Sequence, residues 1–155
     1  MLAFLALVGC STIEPPTLHQ RVVSTAVRDI GLHEREHRDI LRYKIGVDPV
    51  RTQWCAAYVN SVLAKYEIPG SESVSENPLL ARSFLDWGEP TIRPKRGDLV
   101  IFPRGSVSWQ GHVGFYIREE VINGRLYYHI LGGNQNDSVS LNLYLADRAI
   151  GIRTY

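Results

Sequence analysis

Gly111-His112-Val113-Gly114-Phe115-Tyr116-Ile117-Arg118-Glu119-Glu120-Val121-Ile122-Asn123-Gly124-Arg125-Leu126-Tyr127-Tyr128-His129-Ile130-Leu131 is the stretch that decides the fold. Asn123-Gly124 suits a two-residue type I′ turn, because both turn positions need positive φ. The apolar runs on either side, 113–117 and 126–131, read as its two strands. Further strands are read at 98–102, 138–143 and 150–153, about five in all. The first half of the chain has a different period. Val22, Val23, Ala26, Val27 and Ile30 predict a helix over 18–30, stopped by Gly31. The charged stretch 34–39 leads into a second short helix at Ile40-Leu41-Arg42-Tyr43. Thr52 is a suitable N-cap for a third, whose apolar face is Ala56, Val59, Val62, Leu63 and Tyr66. Pro69-Gly70 ends that helix, and another short one is predicted over 78–87. Helices first and an antiparallel sheet afterwards give an α+β domain, with the N-terminal helices packed on one side of the C-terminal sheet.

The chain has 155 residues, 45% of them apolar and 21% charged, with a formal net charge of +1. That describes one globular domain with room for a core. Near-neutral charge offers no footing for nucleic acid, which selects a basic excess or stripe. There is no internal repeat, low-complexity tract, phosphate-binding glycine loop or calcium loop.

Residues 1–9 are apolar or small but too few to cross a bilayer core of about 30 Å, which takes roughly 20 helical residues. They suit the apolar region of a secretion signal, although no Lys or Arg precedes them. Leu7-Val8-Gly9-Cys10 resembles a bacterial lipobox, which implies cleavage before Cys10 and lipidation of its thiol. Residues 10–17, with Pro15-Pro16, would be the extended tether, and 18–155 the folded domain. Cys55 would then be the lone thiol of an exported protein, a reactive candidate. A Cys10–Cys55 disulfide is the competing reading.

Cys55 falls at about the third position of the helix that Thr52 opens. A helix N-terminus offers unpaired N–H groups and partial positive charge, which favour thiolate. His112, at the head of an apolar strand, supplies the imidazole of a Cys–His pair. The hairpin yields a third member. In ideal register Ile122 pairs with Arg125, Tyr116 with Leu131 and His112 with Gln135, while one bulge at Gly132-Gly133 would bring Asn134 opposite His112 instead. A side-chain amide there would fix the imidazole tautomer. Both residues remain open on this reading, with Asn134 preferred. Taken singly, a buried Cys, a His at a strand start and an Asn beside glycines are ordinary structural residues. Only their combination points to catalysis.

The other histidines carry less. His33 and His37 have the i, i+4 spacing of metal ligands but lie in a solvated charge run without a third ligand, so no metal and no cofactor is expected. His129 reads as packed, and His19 as part of the tether. Asp98, after Arg96-Gly97, reads as a turn residue.

Four ordered blocks carry a family resemblance: Trp54-Cys55-Ala56-Ala57-Tyr58-Val59-Asn60, Arg96-Gly97-Asp98-Leu99-Val100-Ile101-Phe102, Gly111-His112-Val113-Gly114-Phe115-Tyr116 and Leu131-Gly132-Gly133-Asn134-Gln135-Asn136. Together they resemble CHAP-type proteins, the cysteine, histidine-dependent amidohydrolases and peptidases related to NlpC-type cell-wall hydrolases. The resemblance spans about residues 30–155. It implies a papain-like α+β fold, nucleophilic Cys55, base His112 and Asn134 as polar third member. The Glu-x-Asn pattern of many such domains is replaced here by Gly132-Gly133-Asn134.

The resemblance also implies peptidoglycan as substrate, cut at the amide between the sugar lactyl group and the peptide or within the peptides. Cys55 would form a thioester, with its backbone N–H and the Gln53 side chain as candidate oxyanion donors. Trp54, Trp87 and Trp109 are candidate groove walls. The partners expected are peptidoglycan and, through lipidated Cys10, a membrane, with the protein monomeric. Ser11 after Cys10 fits outer-membrane delivery facing the periplasm. A catalytically silent wall-binding lipoprotein and an acyltransferase using the same pair are the rival readings.

Overall fold

The computed structural model describes residues 14–155. Helix α1 (Leu18–Val27) starts at a capping box: the Gln20 N–H donates to the Thr17 hydroxyl at 3.2 Å, and the Thr17 N–H donates to Gln20 Oε1 at 2.8 Å. It ends three residues before the predicted last helical residue, Ile30, because the amides of Asp29 and Ile30 turn back onto Ala26 and Val27. His19 therefore lies in the first turn of a helix, where its ring stacks on Tyr155 at 4.2 Å, and not in a tether. Helix α2 (Arg38–Ile45) closes on Gly46, whose φ of 75° is the left-handed conformation favoured after a helix end.

Helix α3 (Cys55–Ala64) opens at Trp54, not Thr52. The Trp54 carbonyl accepts the first ladder bond, from the Tyr58 N–H at 2.9 Å, so Cys55 is the first helical residue and not the third. The segment 78–87 forms a short 3-10 helix, Ala81–Asp86.

Strands β1 (Glu89–Pro90), β2 (Leu99–Pro103), β3 (Gly111–Ile122), β4 (Arg125–Gln135), β5 (Ser138–Leu145) and β6 (Gly151–Thr154) form one antiparallel sheet in the order β1-β6-β2-β3-β4-β5. The sheet has six strands where about five were expected. The additional one, β1, pairs only Glu89 and Pro90 with Thr154 and Arg153, too short a run for a periodic signal.

The architecture is thus α+β. The helices cover one face, where Ala56, Val59 and Leu63 of α3 meet Leu99, Ile101, Val113, Phe115 and Leu131. The other face carries a smaller cluster of Val100, Phe102, Tyr116, Tyr128 and Ile130. Central β2 is buried on both faces, which explains its unbroken apolar run Leu99-Val100-Ile101-Phe102. Each such side chain contributes about 1.5–3 kcal/mol on burial, and together they fix the two elements that matter below, the start of α3 and the start of β3.

Candidate active site

The hairpin register places the site. Asn123 (φ 50°) and Gly124 (φ 76°) form the turn, and Ile122 pairs with Arg125. The ideal register runs to the Arg118–His129 pair. The next pairs are Tyr116–Ile130 and Phe115–Leu131, so Ile117 is an extra residue in β3. Carried on unchanged, that shift would set His112 opposite Asn134. The pairing of β4 with β5 shifts between Gly132 and Gln135, and Asn134 there takes a φ of 56°. The second irregularity, in β4, cancels the first. His112 therefore meets Gln135, as an unbulged hairpin would have it.

The preferred third member, Asn134, is not on the imidazole. Its Nδ2 donates to Gln53 Oε1 at 2.9 Å. The Gln135 amide orientation is fixed by its own surroundings, because Nε2 donates to the Ser140 carbonyl at 2.6 Å and to the carbonyls of Ile130 and Gly132 at 3.3 Å. Oε1 is left to accept from His112 Nε2–H at 3.2 Å. The imidazole proton consequently sits on Nε2, and Nδ1 carries the lone pair. Nδ1 is buried and has no hydrogen-bond partner among the described residues. Tyr144 stacks on the imidazole at 5.4 Å and 11°, with Phe102 stacked on Tyr144 at 4.6 Å, which holds the ring plane.

Cys55, 2% exposed, belongs to the same locality. Its sulfur faces the backbone N–H of Val113, the residue after His112, and those of Ala56 and Cys55 at the helix start. Arg104, in the loop after β2, acts electrostatically on both Cys55 and His112. Burial pushes the thiol up from its ordinary value, outweighing those N–H groups and the Arg104 charge. Burial also pushes His112 down to about 3, with Arg104 adding to the fall and Gln135 opposing it. The resting pair at neutral pH is therefore thiol and neutral imidazole, and the expected thiolate gives way to desolvation. Such a pair can still work: a free, neutral Nδ1 is a base that can take the thiol proton when an electrophile arrives.

A cavity of about 260 Å³ opens over Cys55, lined among others by Gln53, Leu80, Arg104, Trp109 and Gln110. Gln53 is exposed, and with its Oε1 engaged by Asn134 its amide N–H group is available to a ligand. Trp109 is 58% exposed and forms part of the wall. Trp54 and Trp87 do not line the cavity. Trp54 is fully buried and donates through Nε1 to Glu34 at 3.2 Å, and Trp87 donates to the Pro69 carbonyl at 2.8 Å.

Sequence reasoning missed Arg104 and Tyr144. A single arginine after a strand carries no mark, and Tyr144 sits at a strand position like any core aromatic.

Among the described residues no cluster of three His, Cys, Asp or Glu could hold a metal. His37 Nδ1 instead accepts the His33 N–H, and His129 pairs with Glu120 at 2.6 Å on the hairpin arm. Asp98 secures a turn, accepting the Lys95 N–H at 2.6 Å. Cys10 lies outside the described residues, as does the lipobox-like stretch. No family model, curated protein or solved structure matches the chain.

Proposed function

We propose that the protein is a cysteine-dependent amidohydrolase of peptidoglycan, of CHAP type and papain-like layout. The observation that carries the reading is His112, oriented by Gln135, with a buried and unpartnered Nδ1 lone pair in the locality of Cys55. A core histidine would satisfy both ring nitrogens or leave one to water, and an unsatisfied buried acceptor costs stability. A free acceptor in the same locality as a thiol is what proton abstraction requires. The four ordered sequence blocks support peptidoglycan as the polymer.

Cys55 Sγ attacks the amide carbonyl as His112 Nδ1 takes its proton. Charge on the carbonyl oxygen is met by the Cys55 backbone N–H, which has no partner within the helix, and by the Gln53 side-chain amide. His112 returns the proton to the leaving amine, and a thioester on Cys55 remains. Water then attacks the thioester and gives a proton to His112; the C–S bond breaks, and the departing Cys55 sulfur takes that proton back as the acid is released. Asn134 positions Gln53, and Gln135 positions His112. The lipobox-like sequence supports an exported protein anchored through Cys10, in the outer membrane of a two-membrane cell. No helix among the described residues is long and apolar enough to cross a membrane.

Full-length protein incubated with purified peptidoglycan should release soluble fragments whose masses identify the bond. A lactyl carboxyl on the sugar and a free peptide N-terminus indicate an amidase, and two peptide ends indicate an endopeptidase. Intact peptidoglycan across several wall types would overturn the reading in favour of a binding protein.

A further inference from the structure

Among the described residues, Arg104 is the one charged residue lining the cavity over Cys55. Its guanidinium donates to the Asn134 carbonyl at 2.8 Å, and no carboxylate among the described residues pairs with it. Arg82, which donates through Nε to the Gln110 carbonyl at 2.8 Å, has no acidic partner among the described residues either. The loop 104–110 is held in place, for Gln110 Oε1 also accepts the Ser106 N–H at 3.1 Å. A fixed positive charge here works against catalysis as it stands, since it lowers the proton affinity of His112, which must become imidazolium during turnover. Burial is the larger cause of that low affinity and would remain, but an anionic ligand would offset the share that Arg104 adds.

We propose that Arg104 is a specificity-determining residue that receives a carboxylate of the substrate, so that the Cys55 cavity selects peptides carrying a free carboxylate near the bond to be cut. The polymer's identity rests on the hydrolase reading above; the charge preference does not. Cancellation of the Arg104 charge by the bound carboxylate makes His112 a stronger base only in the productive complex, coupling substrate recognition to proton transfer.

The test uses iodoacetate and iodoacetamide, which react alike with a thiolate by displacing iodide but differ in charge. Full-length protein is treated with each at pH 8.5, modification of Cys55 is followed by mass spectrometry of its peptide, and both rates are normalised to glutathione. Because any change in thiol ionisation affects both reagents equally, the ratio isolates the charge of the cavity. Iodoacetate should be favoured about tenfold in the wild type, an attraction well within that of two partly screened charges. The preference should fall towards one in Arg104→Gln and survive in Arg104→Lys. A wild-type ratio near one, a ratio unchanged in Arg104→Gln, or a Cys55 that neither reagent modifies overturns the proposal. An anion preference in a protein that leaves peptidoglycan intact keeps the carboxylate site and removes the hydrolase reading, so the two fail separately.

Discussion

Gln135 and His112 meet at 3.2 Å because two strand irregularities cancel, one at Ile117 in β3 and one at Asn134 in β4. The contact settles which ring nitrogen carries the proton, and the Ser140 carbonyl keeps the amide from turning over. Gln135→Ala should therefore lower kcat by about 10²-fold with little change in KM, the size expected for disorienting a general base. Asn134→Gly removes the amide that holds Gln53 while still allowing the φ of 56°, and should cost less than Gln135→Ala, with Asn134→Ala adding backbone strain to a loss of about tenfold. Steady-state rates on soluble peptidoglycan fragments check both, and a larger loss in Asn134→Gly would reverse the assignment.

The depressed His112 predicts pH behaviour of definite sign. The imidazole stays neutral in the folded protein down to about pH 3, whereas in the unfolded chain it takes up a proton below its ordinary value of 6.5. Its contribution to stability is complete above pH 6.5 and is lost progressively as pH falls from there towards 3. Between pH 7.5 and 4.5 the loss should be about 2.5 kcal/mol, read from denaturant midpoints, and His112→Gln should lose correspondingly less over the same interval. The acid limb of kcat/KM should likewise lie well below pH 6. A limb at pH 6 to 7 would mean an ordinary, solvated imidazole.

Trp54 and Trp109 separate stability from binding. Trp54→Phe removes the donor to buried Glu34 and should destabilise by about 2 kcal/mol in thermal or denaturant unfolding. Trp109→Ala, at an exposed position on the cavity wall, should leave stability within about 0.5 kcal/mol and raise KM several-fold.

Gly133 is where the sheet touches the start of α3. A Cβ there would lie 2.4 Å from the Trp54 ring and 2.8 Å from Tyr58 Cβ. Gly133→Ala should cost about 2–3 kcal/mol through forced repacking and shift the segment that carries Cys55, so that unfolding midpoint and kcat fall together.

The α+β class was legible because Asn123-Gly124 and the change of hydrophobic period are local signals, each contained in a few residues. Cys55 and His112 were legible for the same reason, one at a helix start and one at a strand start. What was not legible depends on contacts remote in sequence. Trp54, not Thr52, begins α3, and that tryptophan is anchored by Glu34, twenty residues away. The choice of Gln135 over Asn134 depended on two offsetting bulges; Gly132-Gly133 hinted at the second, while nothing in Tyr116-Ile117-Arg118 marks the first. Arg104 gains its meaning only from the cavity it shares with Cys55.

The most direct measurement is the initial rate at which fragments leave purified peptidoglycan, taken for the full-length protein beside Cys55→Ala at neutral pH. Release by the wild type, lower by about 10³-fold or more in Cys55→Ala with an unchanged unfolding midpoint, is the predicted result. Equal release by the two proteins, or none by either, would contradict a catalytic Cys55.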